Sequence, residues 1–160
     1  WRADEEAGTA PVLSVYGGKI PTYGKLAEPA LQKIAPYFPG MMGDWIATLP
    51  LLGADFSPAL REHSRVGFFA RYTGIPEPIL RGLFRRHGTL ARDLLGESRT
   101  VGDLGEHFGA ELYAREVDYL VAREWAVSAE DVLWRRTKAG LHLSAPQRDA
   151  VAGYLAGRVS

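Results

Sequence analysis

The chain has 160 residues, of which 46% are hydrophobic and 24% charged, a composition typical of a soluble globular protein with a sizeable core. Lysine plus arginine equals aspartate plus glutamate at 19 each, which excludes a general electrostatic attraction to nucleic acid or anionic lipid. The absence of cysteine excludes disulfides and thiolate metal sites, and no apolar run is long enough to cross a bilayer.

The N-terminal quarter of the chain is predicted to contain one strand and one helix. Residues 1–11 are polar and are predicted as a loop or hairpin arm, residues 12–16 as a short buried strand, and residues 22–38 as a helix with an apolar stripe. A single strand cannot satisfy its backbone groups alone, and the chain begins with Trp1 rather than methionine. We therefore expect residues 1–40 to be the C-terminal remnant of a larger domain.

The remainder of the chain is predicted to be helical. Residues 41–58 are rich in proline and glycine and indicate a linker, and residues 59–160 indicate a multi-helix domain. Apolar residues recur at helical spacing through this domain, and four-residue capping-box motifs begin at Ser128 and at Ser144. The predicted fold class is therefore mainly α, with a helical C-terminal domain preceded by one strand and one helix.

The segment Gly17-Gly18-Lys19-Ile20-Pro21-Thr22, between the predicted strand and helix, can form a site for an anion or a polar ring. Two glycines can adopt positive φ or let another molecule approach the backbone closely, and Pro21 and Thr22 suit the first turn of a helix. Free amides, the positive end of the helix dipole and the Lys19 ammonium would converge there. An ordinary strand-to-helix turn with a surface lysine explains the same residues.

Elsewhere the chain carries no strong catalytic or metal motif. The four histidines show no i, i+4 pair, so no metal site is predicted. The glycines between 102 and 109 lack dinucleotide-binding spacing and indicate a turn-rich segment before a helix. The basic clusters at 85–87 and 135–138 could contact phosphate or an acidic membrane surface, but each is short and offset by nearby acidic residues, which favours solvated helix faces or intramolecular ion pairs. Trp125 and Trp134 are predicted to pin two helices together.

Two blocks of the sequence resemble the FAD-dependent (respiratory) glycerol-3-phosphate dehydrogenases. The first reads Gly-Gly-Lys-Ile-Pro-Thr-Tyr-Gly-Lys-Leu-Ala-Glu at 17–28 and is similar to the family's Gly-Gly-Lys-(Ile/Leu)-Thr-Thr-Tyr-Arg-Lys-Leu-Ala-Glu. The second extends over 100–143, with Val-Gly-Asp-Leu-Gly-Glu-His-Phe-Gly at 101–109 and Asp-Val-Leu-Trp-Arg-Arg-Thr-Lys-Ala-Gly-Leu at 131–141, and resembles the family's C-terminal helical domain. Two blocks in the right order are more specific than either alone.

The resemblance implies an enzyme that uses FAD to oxidise glycerol 3-phosphate to dihydroxyacetone phosphate and passes the electrons to quinone. It also implies that Gly18, Lys19, Ile20 and Thr22 bind the flavin and that Lys19 contacts the polar end of the substrate. The mononucleotide-binding half of a flavin domain is missing from the chain. We therefore expect the chain alone to hold no FAD and to be inactive without an N-terminal FAD domain.

Two departures from the family's pattern affect the predicted site. Pro21 stands where the family has threonine and removes one amide and one hydroxyl that could serve the flavin. Gly24 stands where the family has arginine, which removes a cation and weakens the start of the helix by about 1 kcal/mol.

Other functions are compatible with the same sequence. A helical protein-interaction or membrane-docking module with no catalytic role would pack on a partner protein, on a second copy of itself as a homo-oligomer, or on a membrane. A helix-turn-helix binder built from residues 130–141 is disfavoured by the neutral net charge, so no nucleic-acid partner is predicted. The predicted localisation is cytoplasmic, with peripheral contact to the inner face of the cytoplasmic membrane where quinone is reached.

Overall fold

A computed structural model describes residues 2–4, 10, 12–41 and 49–158. The chain divides into two compact units, Trp1–Pro50 and Leu51–Ser160. Helices dominate the described part of the chain, which confirms the predicted mainly α fold class. The domain division with a linker at 41–58 stays a prediction, and residues 42–48 of that linker lie outside the described residues.

The first unit begins with a pair of short strands. β1 (Arg2–Asp4) pairs antiparallel with β2 (Val12–Ser14), with Arg2 opposite Ser14. The predicted strand is therefore present but two residues shorter than expected, and the prediction that it is buried is wrong, because Val12 is 58% exposed. Its partner lies in the polar segment that the sequence marks only as a loop or hairpin arm. The pairing satisfies backbone groups that a single strand would leave open.

A helix completes the first unit. Helix α1 (Tyr23–Ile34) continues through Pro29 without a break. A 3-10 turn (Ala35–Tyr37) follows it, although the sequence predicts one helix up to residue 38. Pro36 lies inside this turn and has no backbone N–H, so the α-helical hydrogen bond at that position cannot form.

The second unit is an array of helices with one β-hairpin. Its regular elements are α2 (Arg61–Arg71), α3 (Glu77–His87), α4 (Ala91–Leu95), β3 (His107–Gly109), β4 (Leu112–Tyr113), α5 (Ala114–Glu124) and α6 (Ala145–Ala156). The turns between them include 3-10 helices at Pro58–Leu60, Gly88–Leu90, Val101–Leu104 and Ala139–Leu141. No helix in the described ranges is both long enough and apolar enough to span a membrane.

The glycine-rich stretch before α5 contains more regular structure than the sequence indicates. β3 pairs antiparallel with β4, with a bulge between His107 and Gly109. The turn that joins the two strands places Ala110 and Glu111 at φ of 46° and 59°. Such short strands lack the alternating pattern that would reveal them in the sequence.

Two hydrophobic clusters form the core of the second unit. The α2–α4 cluster lies around Phe68 and Leu80, which are 0% and 2% exposed. The α5 cluster includes Val117 and Leu120, both 0% exposed, together with residues of β3, β4 and α6. Tyr119 of α5 packs against both clusters, so α5 borders the two.

Both predicted capping boxes are present. The Asp131 carboxylate accepts hydrogen bonds from the amide and the hydroxyl of Ser128 at 3.0 and 2.8 Å. The Gln147 side-chain oxygen accepts a hydrogen bond from the Ser144 amide at 2.9 Å at the start of α6. These bonds satisfy amides that helix starts otherwise leave open.

The segment Asp131–Arg136 is a π-helix, whereas the sequence predicts an α-helix there. The amide of Thr137 donates a hydrogen bond to the carbonyl of Val132, five residues earlier, at 3.1 Å, and the Thr137 hydroxyl donates to the same carbonyl at 2.7 Å. The Trp134 ring lies on Gly140, where a Cβ would come within 2.7 Å of the indole. Apolar spacing cannot distinguish the two helix types over six residues.

The structure separates the two tryptophans that the sequence predicts to pin helices together. Trp134 packs against the α5 cluster, whereas Trp125 is 86% exposed, so the prediction that Trp125 stacks between helices is wrong. The charge-assisted part of that contact is present, because Arg136 Nε donates a hydrogen bond to the Glu124 carbonyl oxygen at 3.0 Å. Trp125 is a surface residue at the end of α5.

Replacing Trp125 by glycine is expected to stabilise the protein by about 0.5–1 kcal/mol. Trp125 ends α5 with φ 55° and ψ 33°, a left-handed conformation that costs a residue with a Cβ about 1–2 kcal/mol. The greater freedom of glycine in the unfolded chain cancels part of this gain. Urea denaturation measures the change. The control is Val127→Gly, at an exposed position without positive φ, which should destabilise the protein. A loss of stability in Trp125→Gly would contradict the prediction and show that the indole ring makes stabilising contacts with the protein.

A buried carboxylate joins α3 and α5. Glu116 is 1% exposed; its Oε1 lies 2.7 Å from Arg86 Nε and from His87 Nε2, and its Oε2 accepts a bond from Arg86 Nη2 at 2.7 Å. The basic cluster at 85–87 therefore divides, with Arg86 and His87 paired inside the protein and Arg85 exposed. Burial alone would raise the pKa of Glu116, but the hydrogen bond with His87 and the charge and hydrogen bonds of Arg86 outweigh it and lower that pKa.

Two glycines hold the segment before α2 against the end of α3. Gly53 and Gly88 have φ of 82° and 58°, and a Cβ on Gly88 would overlap the carbonyl oxygen of Gly53. The Thr89 amide donates a hydrogen bond to that carbonyl at 3.0 Å, and the Thr89 hydroxyl donates to the Asp55 carboxylate. The chain can pass this closely only because neither glycine carries a side chain.

Candidate functional site

The predicted site lies on the loop between β2 and α1. Residues 15–19 have no regular structure, and Gly17 and Gly18 have φ of 83° and 134°. A Cβ on Gly18 would come 2.8 Å from Leu26 Cδ2 of α1. The turn itself therefore requires the twin glycines, because it combines left-handed backbone with a close approach to the helix.

Lys19 follows the glycines and is exposed. Its carbonyl oxygen accepts hydrogen bonds from the amide and the hydroxyl of Thr22, at 2.9 and 3.1 Å. Within the described ranges, no acidic side chain pairs with the Lys19 ammonium. The backbone at this residue is held in place while the charge remains free to contact a ligand.

The N-terminus of α1 is open. Thr22 precedes the helix but makes no side-chain cap bond, because its hydroxyl is bonded to Lys19, and the first turn contains no acidic residue. Unpaired N–H groups at the start of this 12-residue helix carry partial positive charge. In the part of the chain that the structure describes, the loop amides of Gly18 and Lys19 donate no hydrogen bond to a backbone carbonyl.

The four predicted site residues lie together on this one turn. Gly18 and Lys19 end the loop, and Ile20 and Thr22 begin and end the 3-10 helix that follows it. The turn can offer an ammonium and several backbone donors to a negative or electron-rich group. None of the four is a carboxylate or an imidazole, so a proton acceptor has to come from other residues.

The sequence marks Arg85 only as part of the basic cluster at 85–87 and does not reveal the three arginines that lie near it in the second unit. Four arginines, at 61, 65, 81 and 85, surround a cavity of about 380 Å³ between α2 and α3. The available signal was the i, i+4 spacing of each pair on its own helix. Among the described residues, no group of three or more histidine or acidic side chains is placed to hold a metal ion.

Comparison with known proteins relates both units to one group of enzymes. Residues 47–156 match a family described as the C-terminal domain of alpha-glycerophosphate oxidase. The chain is 42% identical over 158 residues to the aerobic glycerol-3-phosphate dehydrogenase of Escherichia coli K12, an alignment that covers 94% of this chain and 30% of that protein.

Two further curated relatives are similar to nearly the same degree. The glycerol-3-phosphate dehydrogenase of Pseudomonas aeruginosa is 43% identical over 148 residues, which cover 92% of this chain and 29% of the relative. The D-erythritol 1-phosphate dehydrogenase of Brucella abortus is 40% identical over 146 residues, which cover 91% and 29%. The chain thus spans about three tenths of the length of the relatives that it matches.

Proposed function

The chain belongs to the family defined by the C-terminal domain of alpha-glycerophosphate oxidase, and from this premise we propose that it is the C-terminal part of an FAD-dependent glycerol-3-phosphate dehydrogenase. The observation that carries the proposal is the similarity to the E. coli dehydrogenase, which extends over 94% of the chain. That extent takes in the loop with Lys19 as well as the helical unit. The family match alone covers only residues 47–156.

The proposed reaction oxidises the C2 hydroxyl of glycerol 3-phosphate to the ketone of dihydroxyacetone phosphate. A hydride leaves C2, and the hydroxyl proton leaves for a base outside this chain. The flavin, when bound, supplies the two-electron acceptor from which the electrons go on to quinone. Lys19 would orient the polar end of the substrate, while Gly18, Ile20 and Thr22 would line the polar edge of the flavin ring.

The geometry of the loop fits this role. A Cβ at Gly17 would have no atom within 4 Å, and Gly17 and Gly18 are exposed, so a flat ring can approach their backbone closely. Donors at the ring edge stabilise the negative charge that develops as a flavin is reduced. Pro21 contributes no amide, so Gly18 and Lys19 supply the loop donors that have no backbone partner among the described residues.

The exposed surface of the first unit supports the proposal that the chain is part of a larger enzyme. No residue of 12–41 whose burial is described is fully buried, and the aromatic side chains of Tyr16 and Phe38 are 74% and 57% exposed. A unit without a fully buried residue has little core of its own, so we infer that another body of protein covers part of its surface. We assign that covering role to an FAD domain in the part of the relatives' length that this chain does not match.

The proposed substrate class is a polyol phosphate. Relatives named for glycerol 3-phosphate are 42% and 43% identical to this chain, and the relative named for D-erythritol 1-phosphate is 40% identical. Sequence identity over this part of the protein therefore does not distinguish glycerol 3-phosphate from D-erythritol 1-phosphate as the substrate. Glycerol 3-phosphate is the first candidate because two of the three names specify it.

Replacing Lys19 by methionine is expected to lower kcat/KM for glycerol 3-phosphate by about 10–100-fold, the effect of losing one charge-assisted contact. The test uses a chimera in which this chain replaces the matching C-terminal part of the E. coli dehydrogenase. Visible absorption reports bound flavin, and steady-state kinetics with a quinone analogue report turnover. We expect the chimera to bind flavin and the isolated chain to bind none.

The matched control is Lys33→Met, an exposed lysine in the last turn of α1 and outside the predicted site. Its kcat/KM should stay within about twofold of the chimera's. Stoichiometric flavin on the isolated chain, or equal activity in the two lysine variants, would contradict the proposed site. A chimera that folds without binding flavin would instead favour a helical interaction module.

A further inference from the structure

A second candidate binding site is the cavity of about 380 Å³ between α2 and α3, here called the arginine cavity. It lies where the N-terminal half of α2 faces the C-terminal half of α3. Its lining includes Arg61, Arg65, Arg81, Arg85, Glu62 and Phe84. Four of these lining residues are arginines, although the formal net charge of the whole chain is zero.

The hairpin of α2 and α3 brings the arginines together. Arg61 and Arg65 lie one helical turn apart on α2, and Arg81 and Arg85 lie one turn apart on α3. Because a short connection makes α3 run back along α2, the two pairs face each other. Phe84, only 6% exposed, forms an apolar wall and stacks on Phe56 behind it.

The acidic residues near the cavity balance only half of this charge. Arg65 Nε donates a hydrogen bond to Glu62 at 2.9 Å, and Arg81 pairs with Glu77. Within the described residues, neither Arg61 nor Arg85 forms an ion pair or a hydrogen bond with an acidic side chain, although the charge of Arg61 acts on neighbouring Glu62. Guanidinium groups therefore outnumber carboxylates by four to two, even when Glu77, which pairs with Arg81 but does not line the cavity, is counted.

The arrangement is unfavourable without an anion. Like charges at i and i+4 repel each other, and this occurs on both helices. Arg61 also begins α2, where a positive charge opposes the helix dipole. The hydrogen bond from Arg65 and the charges of Arg65, Arg81 and Arg61 lower the pKa of Glu62 against the opposing effect of burial.

We propose that the arginine cavity binds a small ligand that carries two phosphoryl groups. Guanidinium groups match phosphate oxygens in a paired geometry, and two unpaired arginines on opposite walls suit one phosphoryl group each. A concave cavity of this volume can enclose a diphosphate, whereas a flat membrane surface would reach only its rim. This site uses none of the residues of the Lys19 loop and does not depend on the proposed dehydrogenase activity.

Calorimetric titration of the 160-residue chain with inorganic pyrophosphate, at low salt, tests the proposal. The wild-type chain is expected to bind, and Arg61→Gln and Arg85→Gln are each expected to weaken binding by about 10-fold. Raising the salt concentration should weaken wild-type binding further. The matched control is Arg123→Gln, an exposed arginine on α5 without an ion pair in the described ranges, and it should bind within about twofold of wild type.

Several outcomes would overturn the proposal. These are no binding of millimolar pyrophosphate by the wild-type chain, unchanged binding by the variants, and an equal loss in Arg123→Gln. Neither Arg61 nor Arg85 is buried and each removal relieves a repulsion between like charges, so without ligand the variants should keep or slightly raise the wild-type thermal midpoint. Only the rise on adding pyrophosphate should shrink. Binding to phosphatidylglycerol vesicles that depends on Arg61 and Arg85, without pyrophosphate binding, would replace the small ligand by a membrane surface.

Discussion

Replacing Glu116 by glutamine is expected to lower the free energy of unfolding by about 3–5 kcal/mol. Glutamine keeps the shape of the side chain but removes the charge that balances Arg86, whose side chain is only 13% exposed. It also weakens the contact with His87, whose side chain is 4% exposed. Urea denaturation followed by tryptophan fluorescence measures the loss.

The matched control for this variant is Glu130→Gln. Glu130 pairs with Arg135 at 3.2 Å, but its side chain is 65% exposed. Because exposed ion pairs contribute about 0–1 kcal/mol, the control should lose less than about 1 kcal/mol. Equal losses in the two variants would contradict the view that Glu116 is a buried, charge-balanced group.

The pH dependence of stability gives a second readout on Glu116→Gln. The folded-state pKa of Glu116 lies below its ordinary value of 4.5, so the unfolded chain takes up the proton first as the pH falls. The contribution of Glu116 is therefore complete above that ordinary value and is lost as the pH falls through the folded pKa. The difference in free energy of unfolding between wild type and Glu116→Gln should therefore narrow as the pH falls below the ordinary pKa of glutamate. A difference that stays constant down to about pH 3 would contradict the lowered pKa of Glu116.

Replacing Gly88 by alanine is expected to cost about 3 kcal/mol or more. The new Cβ would overlap the Gly53 carbonyl oxygen, which is backbone and cannot move aside like a flexible side chain. Gly88 also has φ 58° and ψ −132°, a conformation that alanine adopts only under strain. Urea or thermal denaturation measures the loss.

Gly153→Ala provides the opposite result in the same protein. Gly153 lies inside α6, and a Cβ there would meet no atom within 4 Å. Alanine should therefore gain about 0.5–1 kcal/mol from its higher helix propensity. If Gly88→Ala were as stable as Gly153→Ala, that result would contradict the close contact between Gly88 and the carbonyl oxygen of Gly53.

Local signals account for what could be predicted from the sequence. The capping boxes that begin at Ser128 and Ser144 join residues three positions apart, so a four-residue sequence motif is sufficient to predict the interaction. The helical stripes also follow from spacing along the chain, and helices α2, α3, α5 and α6 lie where those stripes indicate. The π-helix at Asp131–Arg136 was missed because the same cap begins an α-helix or a π-helix.

Interactions between distant segments account for the rest. Glu116 meets its partners across 29 and 30 positions, and nothing in its own neighbourhood distinguishes it from a surface glutamate. Successive helical residues point about 100° apart, so the cluster at 85–87 cannot present one face. The structure accordingly directs Arg86 and His87 inward and leaves Arg85 exposed.

The two candidate sites differ in the same way, because one is formed by neighbouring residues and the other by residues of two helices. The Gly17-Gly18-Lys19 turn is a local motif, and its positive φ values at both glycines follow from the residue types, while the binding roles of Gly18, Lys19, Ile20 and Thr22 stay predictions. The arginine cavity joins residues of two helices. A sequence search for runs of charge groups Arg85 with its neighbours rather than with Arg61, so it cannot find the cavity.

The bond between α3 and α5 has a consequence for how the helical unit opens. Glu116 lies on the helix that carries Val117 and Leu120, whereas Arg86 and His87 lie on the helix that carries Leu80, so each hydrophobic cluster holds one side of the pair. Separating the clusters would leave opposite charges stranded in apolar surroundings. The innermost amides of both clusters should therefore exchange with solvent deuterium through one shared event, at one common rate.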